Sequence, residues 1–548
     1  MKARLTFIAL LLLFLTGLNA QTGFLGRSEG PLKPQSPLFG KDIVLNAQPI
    51  QNQRNLAVCS AFNGWLYAIY SYNNGNQPYV TFLRSTDDGI TWDIVMDVSD
   101  YFQGYLTTRL DIIACGNSLS TLKIFLAAAV TDTLGYMEWG GIFVGRYQGD
   151  PFIAEAQILG DGGNVTSRHY DIALASDQNY PANNSNPFSI AVAYTKSGYG
   201  NKDTLKYCSS SNGGMSFDDK RIVALSNRNL EKVALSFGRS PSKPEGRYFV
   251  AWEEKNPNNA ATGHIYTAHS EPNFDSPFTK AVCLDSLDSS AINKVRNPAI
   301  ACQVNNADND SSNLSEIVML EKYLPGSNRY EVKGFYNLQA CSSNYFKELA
   351  VSSSSNNKIQ PDISFNSYNS TFMMTYFDST EKKLPFLTND VNLVNPDSWN
   401  IISQAYNDNS NLIAPYPKVK LNIGQQDGMN AWISEGTSGN GIALFDAPYS
   451  TYTGISGNNT GSLVRLIGAY PNPCSNEIKI AFELKKTGKV TINVLSILGQ
   501  PLGTVTDQSY SEGKHVVKYD VSDFPAGTYF YNFRLDDFTA SGKFTVIR

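Results

Sequence analysis

The middle of this chain repeats itself, and that repeat limits the fold more than any other feature. Seven segments begin alike: Arg54-Asn55-Leu56-Ala57-Val58, Arg109-Leu110-Asp111-Ile112-Ile113, Arg168-His169-Tyr170-Asp171-Ile172, Lys232-Val233-Ala234-Leu235, Arg296-Asn297-Pro298-Ala299-Ile300, Gln360-Pro361-Asp362-Ile363 and Tyr416-Pro417-Lys418-Val419. Their starts lie 55 to 64 residues apart. Each start leads to a second strand-like run, such as Trp65 to Tyr70 or Tyr248 to Trp252, and then a third, such as Tyr79 to Leu83 or His264 to Ala268. A fourth closes most units, as in Trp92 to Met96, Arg221 to Leu225 and Trp399 to Ile402. Four short strands in each of seven units predict an all-β fold, a seven-bladed β-propeller, with six or eight blades if one unit is misphased. The 30 Tyr and 29 Phe and the lack of long helical patterns agree with it.

The last unit runs out of chain after Phe445. Lys41 to Leu45, an orphan strand ahead of the first unit, is the expected donor of its missing outer strand, because such a closure removes two exposed sheet edges. The turn between third and fourth strands carries a motif in two units. Ser85-Thr86-Asp87-Asp88-Gly89-Ile90-Thr91-Trp92 fits S-x-D-x-G-x-[ST]-W in full, and Ser210-Ser211-Asn212-Gly213-Gly214-Met215-Ser216-Phe217 fits with Asn212 and Phe217 replacing Asp and Trp. Asn395-Pro396-Asp397-Ser398-Trp399 reads as a decayed copy. Such a turn works through a side chain capping backbone N–H groups, a left-handed glycine, and an aromatic ring packed between strands. The motif is the Asp-box, and over residues 40 to 448 the chain resembles the BNR repeats of sialidase-like propellers. The box stabilises a turn, so it speaks for fold and little for function.

The N-terminus opens with Lys2 and Arg4, an apolar run from Leu5 to Leu18 and the small residue Ala20. Residues 1–20 read as a signal peptide, too short to span a bilayer, and no transmembrane segment is expected in the mature protein. With 44 basic against 49 acidic residues and no basic tract, nucleic acid is excluded as a partner. Seven cysteines fall singly, and Cys59, Cys115 and Cys302 share one phase of the repeat, as small buried strand residues would. Four histidines, His169, His264, His269 and His515, lack paired-ligand spacing, so neither a metal site nor a cofactor is expected. Asp308-Asn309-Asp310-Ser311-Ser312 with Glu316 alternates oxygen ligands as a calcium loop does, without the glycine of an EF-hand, and reads better as a solvated acidic loop.

A Ser/Gly/Asn/Thr linker over 449–463 separates a propeller region at 21–448 from a last unit at 464–548. That unit holds Tyr470-Pro471-Asn472-Pro473, Leu498-Gly499, Asp520 and Phe524-Pro525-Ala526-Gly527-Thr528-Tyr529 among alternating strands. It resembles the type A C-terminal sorting domain of the type IX secretion system. The resemblance implies a small Ig-like β-sandwich, with the secretion machinery and a sortase as partners. A secreted or surface-attached location is then expected. A carbohydrate-binding or adhesive Ig-like module is the alternative.

In a propeller the repeat-start residues ring one mouth of the central channel: Arg54, Arg109, Arg168, Lys232, Arg296, then Gln360 and Tyr416. Loops above that mouth bring Glu253, Glu321 and Asp378 with other acids and aromatics. Converging guanidinium groups, carboxylates and rings suit an anionic or sugar ligand. The sialidase resemblance implies three arginines on a substrate carboxylate and a Tyr nucleophile. Arg54, Arg168, Arg296 and Tyr416 are the candidates for those roles, although Arg54-Asn55-Leu56 departs from the family's Arg-Ile-Pro and no acid/base aligns. The competing reading pairs these cations with neighbouring acids to tie blades together. The favoured function is a binding propeller for a glycan or other surface ligand. The alternatives are a sialidase-like exo-glycoside hydrolase and a structural or adhesion component of the envelope.

Overall fold

The computed structural model describes residues between 43 and 548. Outside that description lie 1–42, 46–51, 98–104, 117–120, 133–139, 149–152, 159–168, 178–187, 272–277, 286–293, 305–313, 391–398, 404–417, 422–427, 436–440, 447–463 and shorter turn segments. The expected signal peptide, the linker, Arg168, Tyr416, Asp87 and the acidic run at 308–312 therefore fall outside it.

The chain is all-β. Sheet one is built from Asn52–Ser60, Leu66–Asn74, Gln77–Ser85 and Asp93–Asp97; sheet two from Tyr105–Cys115, Lys123–Asp132, Gly140–Gln148 and Ile153–Ile158. Sheet three follows with His169–Ser176, Ile190–Ser197, Asp203–Ser210 and Arg221–Ser226, and sheet four with Asn229–Ser240, Lys243–Lys255, Gly263–His269 and Val282–Cys283. Sheet five uses Val295–Cys302, Glu316–Leu324, Arg329–Asn337 and Lys347–Ala350, and sheet six Lys358–Asn366, Thr371–Asp378, Phe386–Asp390 and Asn400–Ser403. Sheet seven takes Lys418–Leu421, Gly428–Glu435 and Gly441–Asp446, and its fourth strand is Ile43–Val44, paired antiparallel as Ile43 with Phe445 and Val44 with Leu444. Sheets one to six are antiparallel meanders, and sheet seven is a three-strand meander completed by Ile43–Val44.

The first strands of sheets one to seven pack on one another in chain order, and that of sheet seven packs on that of sheet one. The core is a set of wedges between neighbouring sheets. Ala57, Ile69 and Phe82 of sheet one meet Leu110, Ile112 and Leu126 of sheet two. Ile43, Leu45, Ile433 and Phe445 of sheet seven meet Leu56, Tyr70 and Trp92 of sheet one. Period-two alternation alone does not produce this pattern: both faces of the inner strands are covered, so Leu66, Tyr67, Ala68, Ile69 and Tyr70 are all buried. Cys59, Cys115 and Cys302 sit buried at the ends of first strands.

The two motif-bearing turns show why their residues are needed. Ser85 Oγ accepts the Gly89 N–H at 2.8 Å, and Trp92 Nε1 donates to the Gly89 carbonyl at 3.0 Å. Ser210 Oγ does the same for Gly214 at 2.9 Å, and Asn212 Oδ1 accepts the Ser216 N–H at 3.0 Å. Gly89 (φ 85°) and Gly214 (φ 76°) are left-handed, and a Cβ on either would stand 2.1 or 2.2 Å from a ring of the preceding sheet, Phe445 or Phe125. These turns therefore also dock each sheet on its predecessor. Trp92 is buried and Phe217 half-buried.

Residues 464–548 form two further sheets. Val464–Tyr470, Glu477–Leu484 and Gly513–Asp520 make one; Pro501–Tyr510, Gly488–Leu495, Gly527–Leu535 and Phe538–Val546 make the other. Ile478, Ile480 and Phe482 of the first face Val490, Ile492 and Phe533 of the second in one core, a β-sandwich. The Tyr529 hydroxyl donates to the Pro525 carbonyl at 2.8 Å, and Asp520 Oδ1 accepts the Ser522 N–H at 2.8 Å.

Candidate functional site

The first strands of sheets one to six each carry a bulge near their start. A bulge adds one residue, frees an amide from the ladder and re-aims the side chains around it. In sheets one, five and six the bulged residue is left-handed: Asn55 (φ 53°), Asn297 (φ 51°) and Gln360 (φ 53°). Asparagine tolerates this conformation through local hydrogen bonds, and here Asn55 Nδ2 donates to Ser71 Oγ and Asn297 Nδ2 to Glu321 Oε1.

The freed amides go to buried acids of the preceding sheet. Asn297 N–H donates to Glu253 Oε2 at 3.0 Å, and Gln360 N–H to Glu321 Oε1 at 2.6 Å. Farther along the first strands, Asp111 Oδ2 accepts the Leu174 N–H at 2.8 Å and Asp171 Oδ2 the Val233 N–H at 3.0 Å. Charge-assisted bonds of this kind stitch four successive pairs of sheets.

This geometry corrects part of the sequence reading. Glu253 and Glu321 are 1% and 0% exposed, so burial removes them from the ligand-facing set. Burial raises the Glu253 pKa, against the pull of Lys255 at 3.2 Å and the Asn297 amide. Asp378, 8% exposed, caps its own turn by accepting from the N–H groups of Thr380 and Glu381 and from Asn356 Nδ2. The sequence showed only acids at strand ends. Glu253 and Glu321 are taken up by bulges that no residue pattern announces.

The cations divide. Arg54 lies in the first strand of sheet one, its register partner Ser71, with its side chain outside the described residues. Arg109 Nε stands 3.3 Å from Asp171 Oδ1 of the next sheet, outside hydrogen-bond geometry. Lys232 is half-buried and opposite Glu253 in register. Arg296 donates from Nε to Glu321 Oε2 of its own sheet at 2.7 Å and is 36% exposed. Neither described arginine is bidentate to a carboxylate. The terminal nitrogens of Arg296 have no partner among the described residues.

Around Arg296 the structure assembles a group that the sequence reading missed. Its guanidinium lies 4.0 Å from the Tyr330 ring centroid, Tyr330 is 5.2 Å from Tyr323, and Lys294 Nζ is 5.3 Å from the Tyr323 ring. Tyr323 and Tyr330 face each other across the hairpin, while Lys294 and Arg296 are two residues apart on one strand face. The row of cation, ring, ring, cation is half-buried, and the start of the sheet-five repeat supplies one end of it. The available signal was Tyr323 and Tyr330 flanking the Pro325-Gly326-Ser327-Asn328 turn.

Glu316, expected in a solvated loop, is instead fully buried and bonded to the Thr267 hydroxyl of sheet four at 2.7 Å. Burial raises its pKa from 4.5 to about 7. Folded Glu316 thus keeps its proton where the unfolded residue has lost it. Its stabilising contribution is complete below pH 4.5, declines as pH rises through the interval to about 7, and is then gone, a loss of about 3 kcal/mol. Glu316→Gln should melt a few degrees above the wild type at pH 8 and with it at pH 4, read by calorimetry; parallel pH profiles would refute the assignment.

Comparison with known proteins adds the following. The chain covers 97% of a protein of Dyadobacter fermentans at 9% identity over 74% of its own length, with a TM-score of 0.42. It covers 94% of the polysaccharide lyase Uly1 at 8% identity over 77% of its own length (TM-score 0.42). It covers 92% of an endo-arabinase from Bacteroides thetaiotaomicron at 11% identity over 50% of its own length (TM-score 0.28). No curated protein matches the sequence. Residues 468–547 match the secretion system C-terminal sorting domain, and the protein that carries this tail is handled by the type IX machinery and exported, either released or attached at the outer cell surface.

Proposed function

We propose that this protein is a seven-bladed β-propeller that binds an acidic glycan outside the cell, after removal of residues 1–20 and delivery by the sorting tail. The seven four-stranded sheets, whose first strands pack in sequence and back to the start, support the propeller with its region at 21–448. The Ser85 and Ser210 turns support its Asp-box character. The Arg296 row carries the ligand reading. Terminal guanidinium nitrogens match a carboxylate or sulfate, and tyrosine rings offer faces to a pyranose. Binding is preferred to hydrolysis because Glu253, Glu321 and Asp378 are committed to backbone amides, whereas a general acid or base needs a free proton path.

The test uses the mature protein on immobilised uronate-containing, sulfated and neutral glycans. Acidic glycans should be retained. Arg296→Gln, which keeps a donor toward Glu321, should weaken retention by about 10- to 100-fold with little change in melting temperature. Equal retention by the variant, or no preference for acidic glycans, would sink this reading.

A further inference from the structure

We propose that His264, Cys283 and Asp285 form a zinc(II) site that fastens the outer strand of sheet four. In the linear sequence His264 and Cys283 are too far apart to read as a ligand motif. The strand register brings them together. Tyr266 pairs with Cys283 and Thr267 with Val282, so continuing the antiparallel alternation sets His264 across from Asp285. His264 and Tyr266 share one face of their strand, and Cys283 and Asp285 face them from the next.

The ligand atoms lie within 4.8 Å of one another. His264 Nδ1 is 2.9 Å from Asp285 Oδ2, and Cys283 Sγ is 3.5 Å from Asp285 Oδ1. Donors around a tetrahedral zinc stand about 3.3 to 3.6 Å apart, so the set needs only small side-chain shifts to close on the ion. One imidazole, one thiol and one carboxylate form a mixed nitrogen, sulfur and oxygen set that suits zinc better than calcium or magnesium. The carboxylate is already aimed, because Asp285 Oδ1 accepts the Ile265 N–H at 3.0 Å, which leaves Oδ2 for a metal. The Leu284 N–H donates to the Ile265 carbonyl at 2.9 Å, which fixes the Cys283-Leu284-Asp285 segment. Asp285 is buried, while the side chain of His264 is a quarter exposed and gives the ion a way in.

Two features argue against the bland reading of a hydrogen-bonded corner. The outer strand here is only Val282–Cys283, held by two register pairs, where the corresponding strand of sheet three runs six residues. A staple is most useful at so short a strand. Cys283 is also a free cysteine among the described residues. On binding, zinc takes the place of the Cys283 proton, which is released to solvent, and a solvent molecule completes the fourth position.

The experiment uses the mature full chain, reduced and freed of metal by chelation, titrated with zinc by calorimetry and with cobalt(II) by absorption. One equivalent should bind, raise the melting temperature, and give cobalt a tetrahedral visible spectrum with a thiolate charge-transfer band. Cys283→Ser should abolish that band, and His264→Gln should weaken zinc binding by about 10- to 100-fold with the metal-free melting temperature kept. His264 is the partly exposed member, so its variant decides the matter if Cys283→Ser does not fold. A band that survives Cys283→Ser, zinc affinity unchanged in His264→Gln, or no stoichiometric metal uptake would overturn the proposal.

Discussion

A chain lacking residues 41–45 should aggregate or melt far below the full-length protein. Ile43 and Leu45 are 6% and 0% exposed, and burial of two such side chains is worth about 3 to 6 kcal/mol. That is a large part of the 5 to 15 kcal/mol typical of a folded domain. The loss does not stop at these side chains. Leu45 N–H donates to the Ala443 carbonyl at 2.9 Å, so without it Gly441–Asp446 becomes an open edge with unpaired amides and carbonyls. The same strand carries Phe445, on which Gly89 and Trp92 of sheet one dock, with Trp92 edge-on at 5.1 Å. The N-terminal strand thus supports the junction of sheets seven and one from behind. Leu45→Ala tests the point without a truncation, since it keeps the backbone pairing and removes only the apolar contact of a fully buried side chain. Both chains are compared by light scattering and thermal melting, and a deletion that melts with the full chain would show that sheet seven closes in another way.

The architecture was legible in the sequence because repetition amplifies a weak signal. One run such as Ile317 to Leu320 is ambiguous, but the phase set by seven similar starts makes each run a strand, and the observed strand Glu316–Leu324 contains it. The candidate site was less legible, for reasons located in particular residues. Glu253 follows Trp252 and precedes Glu254, a pattern that reads as a solvated strand end. It is buried, and the bulge at Asn297, one sheet away, takes it as the acceptor for its amide. His264 and Asp285 meet only through a strand register that spans a loop. The Arg296 row depends on a hairpin turning at Pro325 to Asn328, which brings Tyr330 back beside Tyr323. Local pattern gives strands, whereas sites are made by pairings between distant segments. The recurring cations at the repeat starts fit this view: a bulged strand start turns its side chain away from the regular pleat, so the position is free of the apolar pattern that governs the rest.

Removal of residues 464–548 should leave the seven sheets folded and abolish export. The two expectations have separate physical grounds. The sandwich has a core of its own: among the described residues, Ile478, Phe482, Val490, Ile492, Phe533 and Val546 cluster with residues from 469 to 546. Among the described residues, the wedges between sheets draw on residues 43 to 445 and share none with that core. Units with separate cores unfold separately, so the truncated chain should show one thermal transition fewer than the full chain, with the remaining one unmoved. The sorting tail marks the chain for export, and hydrogen bonds hold it in shape as far as Arg548. Arg548 reaches back from the C-terminus to the carbonyls of Val521, Ser522 and Phe524, and the Ile547 N–H donates to the Cys474 carbonyl at 2.8 Å. Loss of even the final residues should therefore loosen the segment around Phe524 and reduce export while leaving the sheets intact. Cell fractionation of a strain producing the truncated chain should place it in the periplasm as soluble, folded protein. Its appearance at the surface or in the medium at wild-type amounts would mean that the seven-sheet region carries its own export signal.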